Sequence, residues 1–182
     1  MIEELADFSR PLLNLPLVRR TRRNHGLEHA TIHVLSRRVK SLRMAGRSDS
    51  GGFFLLGDAP TEAVEAAARE ALRRMRAGER ELAIHPNCGT NLVTTGFLAT
   101  SAAMLAFAGS SRRDSWNRMP WAMALVMVTL IIGQPLGMAL QHHFTTDGDP
   151  ADLEIVSIER TESHLNPLGG SSVIHRVTTR SS

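Results

Sequence analysis

Leu92-Val-Thr-Thr-Gly-Phe-Leu-Ala-Thr-Ser-Ala-Ala-Met-Leu-Ala-Phe-Ala-Gly109 runs for 18 residues without a charge, and Met119 to Leu140 adds 22 more, interrupted by Gln134-Pro135. A helix needs about 20 mostly apolar residues to cross the hydrocarbon of a bilayer, so both stretches read as transmembrane helices. The competing reading is a buried helix pair in a soluble core. Against it, the linker Ser110 to Arg118 carries Arg112, Arg113, Arg118 and Trp116, with Trp121 just beyond, which is the composition of an interfacial turn. Gly133, Gly137, Ala99, Ser101, Ala102 and Ala103 are small enough to let the two helices approach closely. A hairpin returns the chain to the face it left, so Asn91 and Gln141 emerge on one side.

Charge divides the 182-residue chain the same way. Met1 to Asn91 carries 15 basic and 11 acidic residues, Leu92 to Leu140 carries 3 and 1, and Gln141 to Ser182 carries 3 and 6. The expected fold class is α+β: a small mixed domain of helix and antiparallel sheet, interrupted by a two-helix transmembrane hairpin. Its parts are a polar domain over 1–91, the hairpin over 92–140, and a carboxy-terminal segment over 141–182 that completes the polar domain. Cys88 is the single cysteine, so no internal disulfide forms, and a reducing compartment or a ligand role remains. The acidic start, Met1 to Asp7, is not followed by the long apolar run of a signal peptide.

Just upstream of the first span lies His85-Pro-Asn-Cys-Gly-Thr-Asn91. His85 and Cys88 are two residues apart, and the turn between them lets both side chains reach one ion. Farther back, Arg23-Asn-His-Gly-Leu-Glu-His-Ala-Thr-Ile-His33 packs three histidines and a carboxylate into a short stretch. With Asn24 as a cap, His25 and His29 stand one helical turn apart with Glu28 beside them. The order His-x-x-Glu-His is that of an inverted zincin: two neutral imidazoles hold the ion and the carboxylate handles a proton. Imidazole with soft sulfur points to zinc, or to another late first-row ion. The expected ligands are His25, His29, His85 and Cys88, and Glu28 is the expected general base. His33, Asn91, Gln141, His142 and Thr145 are expected to line the site. His142 and His143 are adjacent, so at most one of them joins.

The rest of the chain supplies the frame. Phe8 to Val18 followed by Arg19, Arg20, Arg22 and Arg23 suits either an anionic membrane surface or a solvated linker. Nucleic acid is not expected, because the cluster is short and lacks interleaved aromatics. A helix is predicted from about Asn24 to Arg38, strands over Val39–Ala45 and Phe53–Leu56 with a turn over Gly46–Gly52, and a second helix from Pro60 to Gly78. Met75 belongs to the core of that helix. Glu81 to His85 reads as a short strand. Leu153–Glu159 and Ser172–Thr178 alternate, with Asn166-Pro-Leu-Gly-Gly170 between them, as a hairpin that extends the sheet. No internal repeat, phosphate-cradling glycine loop or Gly-x-Ser-x-Gly elbow occurs.

His25-Gly-Leu-Glu-His29 with Thr31-Ile32, His85-Pro-Asn-Cys-Gly-Thr90 leading into a span, and Leu140-Gln141 with Thr145-Thr146 after the last span resemble the YqhQ-like bacterial membrane proteins. That family is of unknown function and is described as metal-dependent. The resemblance covers about Asn24 to Thr146 and implies a metal site on His25, His29 and His85, with Glu28 and Cys88 as further members. Fewer spans, and different strands at 39–56 and at the carboxy terminus, mark this chain as a smaller relative.

Two functions from different classes follow. One is a zinc-dependent hydrolase at the cell membrane, acting on a peptide or lipid-linked bond with Glu28 as base. The other is a non-catalytic membrane adaptor or scaffold in which Cys88 closes a structural zinc site. Orientation follows from charge. Export of the strongly basic amino-terminal part without a signal peptide is the larger obstacle, so the polar domain is expected in the cytoplasm and the Arg112–Arg118 loop outside.

Overall fold

The computed structural model describes residues 2–163 and 172–182. The chain divides into two compact units, one of residues 1–85 with 142–182, the other of residues 86–141. The class is α+β, with five α-helices and a four-stranded antiparallel sheet among the described residues.

The first unit opens with α1 (Ile2–Leu13) and α2 (Pro16–Arg38). Pro16 sits in the first turn of α2, where its missing N–H costs nothing and its fixed φ favours the helix. The helix therefore starts a full two turns ahead of Asn24, which is not a cap. Asn24 is fully buried mid-helix: its Nδ2 donates to Asp49 O at 2.9 Å and its Oδ1 accepts from Thr179 Oγ1 at 2.6 Å. Of the basic cluster, Arg22 donates to His143 O and Thr146 O, and Arg23 pairs with Asp152 at 3.0 Å. Those two arginines hold α2 to the segment after residue 142.

Strands β1 (Ala45–Asp49) and β2 (Gly52–Leu56) form a tight hairpin in which Asp49 pairs with Gly52. The expected strand over Val39–Ala45 is not formed. Val39, Leu42 and Met44 instead pack on the core from irregular backbone, and the strand begins where the turn was expected. Helix α3 (Thr61–Arg76) follows as its spacing predicts, burying Val64, Ala67, Ala68, Ala71, Leu72 and Met75. Glu81 to His85 is not a strand either. Arg80–Ala83 is a 3-10 turn that buries the consecutive Leu82 and Ala83, which strict alternation across a strand does not allow.

Strands β3 (Glu154–Ser163) and β4 (Ser172–Arg180) complete a sheet of order β1-β2-β4-β3. Residues 166–170, expected as the turn between them, lie outside the described residues. Phe53 pairs with Val177 and Leu55 with His175. All four are fully buried on the face that meets α2 and α3, while Phe54 lies on the other face under the Arg176 guanidinium, 4.3 Å from its ring centre.

The second unit is a helix pair, α4 (Gly89–Phe107) and α5 (Arg112–Leu140). The connecting turn is short, so Trp116 and Arg118 belong to α5 rather than to a loop. Arg118 donates to Ala106 O and Ala108 O, satisfying carbonyls that a helix end leaves open. Gly133 lies against Thr95 and Gly137 against Asn91, so four residues up one helix correspond to four residues down the other, as in an antiparallel pair. Both helices are long and apolar enough to cross a membrane, yet only 11% of each apolar window is buried. Leu92, Val93, Phe97, Met104, Leu105, Trp121 and Ile131 point outward, the inverse of a soluble core helix.

Candidate metal centre

Helical spacing sets His25, His29 and His33 along one stripe of α2, four residues apart. The chain returns to that stripe after the 3-10 turn. Ala83 O takes a hydrogen bond from His29 Nδ1 at 2.7 Å, and Ile84 O takes one from His33 Nε2 at 2.8 Å. From the other side, Thr145 O accepts from His25 Nδ1 at 2.9 Å. Gly26 permits this approach, since a Cβ there would stand 2.4 Å from Asp147 O.

A carbonyl oxygen only accepts, so each bonded ring nitrogen carries the proton. In the neutral ring the lone pair is then on Nε2 of His25 and His29 and on Nδ1 of His33. This is the arrangement by which metal-ligating histidines are held, with one nitrogen fixed by a backbone carbonyl and the other presented to the ion. His85 joins the row with its ring centre 5.8 Å from that of His29 and 4.8 Å from that of His33, while His25 and His29 are 4.4 Å apart. Two imidazoles on one tetrahedral zinc, with Zn–N near ~2.0–2.1 Å, place their ring centres about 5 Å apart. The observed spacings bracket that value. His25 and His29 also bring ligand nitrogens within 4.8 Å of one another. Burial first, then the neighbouring His33 and His29, push the pKa of His85 down to about 4, so its ring is neutral and able to ligate at physiological pH.

Glu28 is buried on the same helix, but its carboxylate is directed at β1. Oε2 accepts from Ser48 Oγ at 2.5 Å, and a Cβ on Gly46 would lie 2.0 Å from Oε1. Burial raises its pKa above the usual carboxylate range, while the Ser48 hydrogen bond and the charge of His25 pull it back. The carboxyl therefore holds a proton more readily than a surface glutamate.

The remaining expected residues divide by unit. Thr145 contributes its carbonyl to His25. His142 stacks edge-on against His143 at 4.6 Å and lines a cavity with Arg22, Arg80, Thr146 and Asp147. In the second unit, Cys88 is buried and caps α4, its Sγ accepting from Thr90 N at 3.4 Å. Asn91 is buried and donates to Pro86 O at 2.6 Å, and Gln141 is fully buried at the end of α5. Sequence does not single out Gly46, Ser48 or the carbonyls of Ala83 and Ile84: the first two lie in a stretch that reads as a turn, and a carbonyl leaves no mark in a sequence.

Residues 20–158 match the domain of unknown function DUF6391. An uncharacterised protein of Picosynechococcus sp. (strain ATCC 27264 / PCC 7002 / PR-6) is 32% identical over 175 residues, covering 88% of this chain and 81% of that protein. No solved structure matches the chain.

Proposed function

The chain belongs to the DUF6391 family, and we propose that it is an integral membrane metalloprotein, a zinc-dependent hydrolase acting at the membrane surface. The observation that carries the metal reading is the row of imidazoles, each α2 ring fixed through one nitrogen by a backbone carbonyl. His25, His29 and His85 are the proposed ligands. Cys88, three residues beyond His85, is the further candidate. The YqhQ-like resemblance of the three motifs supports the same ligand set.

The exposed apolar faces of α4 and α5 support a bilayer setting, and the cell membrane is the proposed location. When bound, zinc would supply Lewis acidity to a water or carbonyl oxygen. The chain does the rest. The carbonyls of Thr145 and Ala83 keep His25 and His29 in their ligating tautomers, and Glu28, with its raised proton affinity, takes a proton from water and returns it to the leaving group. A membrane-associated peptide or a lipid-linked bond is the substrate class that such a location offers.

A second reading rests on the burial of Cys88. A thiolate as fourth ligand closes the sphere, and the protein becomes a membrane adaptor with a structural zinc. Zinc-edge X-ray absorption separates the two: a nitrogen and oxygen sphere supports the hydrolase, and a sulfur at about 2.3 Å supports the closed site. In the hydrolase, Glu28→Gln should keep the metal while activity falls on the order of a hundredfold or more. Loss of zinc in that variant would make Glu28 a ligand and remove it as base.

A further inference from the structure

Helix α1 is amphipathic in an unusual way, because its apolar surface is divided into two strips. Ile2, Ala6, Ser9 and Leu13 are at least partly covered, with Ala6 buried. The adjoining strip is open: Leu5 is 55%, Phe8 86% and Leu12 60% exposed, followed past the helix by Leu15 at 48% and Leu17 at 65%. Positions 5, 8 and 12 follow the three-and-four spacing of a single helical face. Glu3, Glu4, Asp7 and Arg10 occupy the remaining arc, Asp7 and Arg10 as an ion pair at 2.8 Å. A row of large apolar side chains costs free energy in water unless something covers it.

We propose that α1 lies in the headgroup and acyl boundary of an anionic bilayer, with Leu5, Phe8 and Leu12 inserted. This rests on the reading of α4 and α5 as membrane helices, which brings the same chain to a bilayer. Charge supports a lipid surface as the occupant. From Leu15 to Arg23 the chain carries four arginines and no acid. Arg22 and Arg23 are engaged within the unit and Arg19 donates to Ser182 O at 3.1 Å, while Arg20 is half-buried at the start of α2, close after the open strip in sequence. An apolar stripe followed in sequence by arginines, with acids on the remaining arc, is the pattern of an interfacial helix.

The test uses full-length protein in vesicles of phosphatidylcholine and phosphatidylglycerol. An environment-sensitive fluorophore is attached at Phe8→Cys, Leu12→Cys, Asp7→Cys and, on α5, Ile131→Cys. Quenching is read with a shallow doxyl-labelled lipid and with aqueous iodide, after subtracting any labelling of unsubstituted protein at Cys88. Labels at 8 and 12 should be quenched by lipid at least about threefold more than the label at 7, and iodide should show the reverse order. Iodide access at 8 and 12 equal to that at 7 would overturn the proposal. So would protection from both quenchers, which would mean that protein covers the strip, a second copy included. Lipid quenching at Ile131 without quenching at Phe8 removes α1 alone, whereas no quenching at either position removes the membrane reading itself.

Discussion

Asn24 shows what a single residue does in this fold and why its role was hidden. Its position before an amphipathic run suggested a helix cap, but Pro16 starts the helix earlier, and Asn24 becomes a buried bridge to Asp49 and to Thr179, 155 residues away. No local pattern encodes a partner at that distance. Glu28 is similar: its spacing from His25 and His29 is legible, whereas Ser48 and Gly46 beneath it lie in a stretch that reads as a turn. In the sequence His175 is one more alternate residue in a strand. It is fully buried, its Nε2 is 3.2 Å from Thr61 Oγ1, and its Nδ1 has no partner among the described residues. Burial, then Arg160, lowers its pKa. A folded-state pKa below the unfolded value of about 6.5 means that the neutral ring's contribution is complete above that pH and is lost as pH falls through the folded pKa. The thermal midpoint in detergent should therefore drop as pH falls below about 6.5, and His175→Gln should flatten part of that drop. An identical pH slope in the variant would show that His175 carries none of it.

At the scale of elements, periodicity was informative where an element buries one face. Helix α3 and strands β2, β3 and β4 follow their spacing because Val64, Ala71, Phe53, Leu55 and Val177 all meet in one core. It misled where apolar residues reach the core from loops, as Val39, Leu42 and Met44 do. The helix pair was legible from its lack of charge and its small residues. Gly137 gives the sharpest test of that pairing. A Cβ there would lie 2.2 Å from Asn91 Oδ1 and 2.9 Å from Asn91 Cα, while Gly96 has nothing within 4 Å. Gly137→Ala should lower the thermal midpoint in detergent by several degrees, on the order of 1–3 kcal/mol of overpacking. Gly96→Ala should leave it unchanged or raise it slightly, since alanine favours a helix over glycine. Equal effects at the two positions would mean that the helices do not approach at Gly137.

For the whole molecule, the sequence made plain that a polar α+β part is interrupted by an apolar hairpin, because composition alone changes at each junction. For the proposed membrane protein, two rules pull the orientation in opposite directions. The arginines in the first turns of α5 favour a cytoplasmic turn, but the basic amino-terminal part resists export, so the histidine row is proposed to face the cytoplasm. A cysteine at Ser115 should then react with a membrane-impermeant thiol reagent in intact cells, and one at Ser181 should not. The reverse pattern would put the histidines outside.

The metal centre is the claim on which the account turns, and the metal content of purified protein tests it most directly. Two of the proposed ligands come from distant parts of the chain, His29 from α2 and His85 from the segment that folds back on it, their ring centres 5.8 Å apart. Elemental analysis should find about one equivalent of zinc per chain in unsubstituted protein, and a strong reduction in both His29→Ala and His85→Ala while the folded protein is retained. Zinc held in full by both variants, or no transition metal in the unsubstituted protein, would contradict a metal centre on this histidine row.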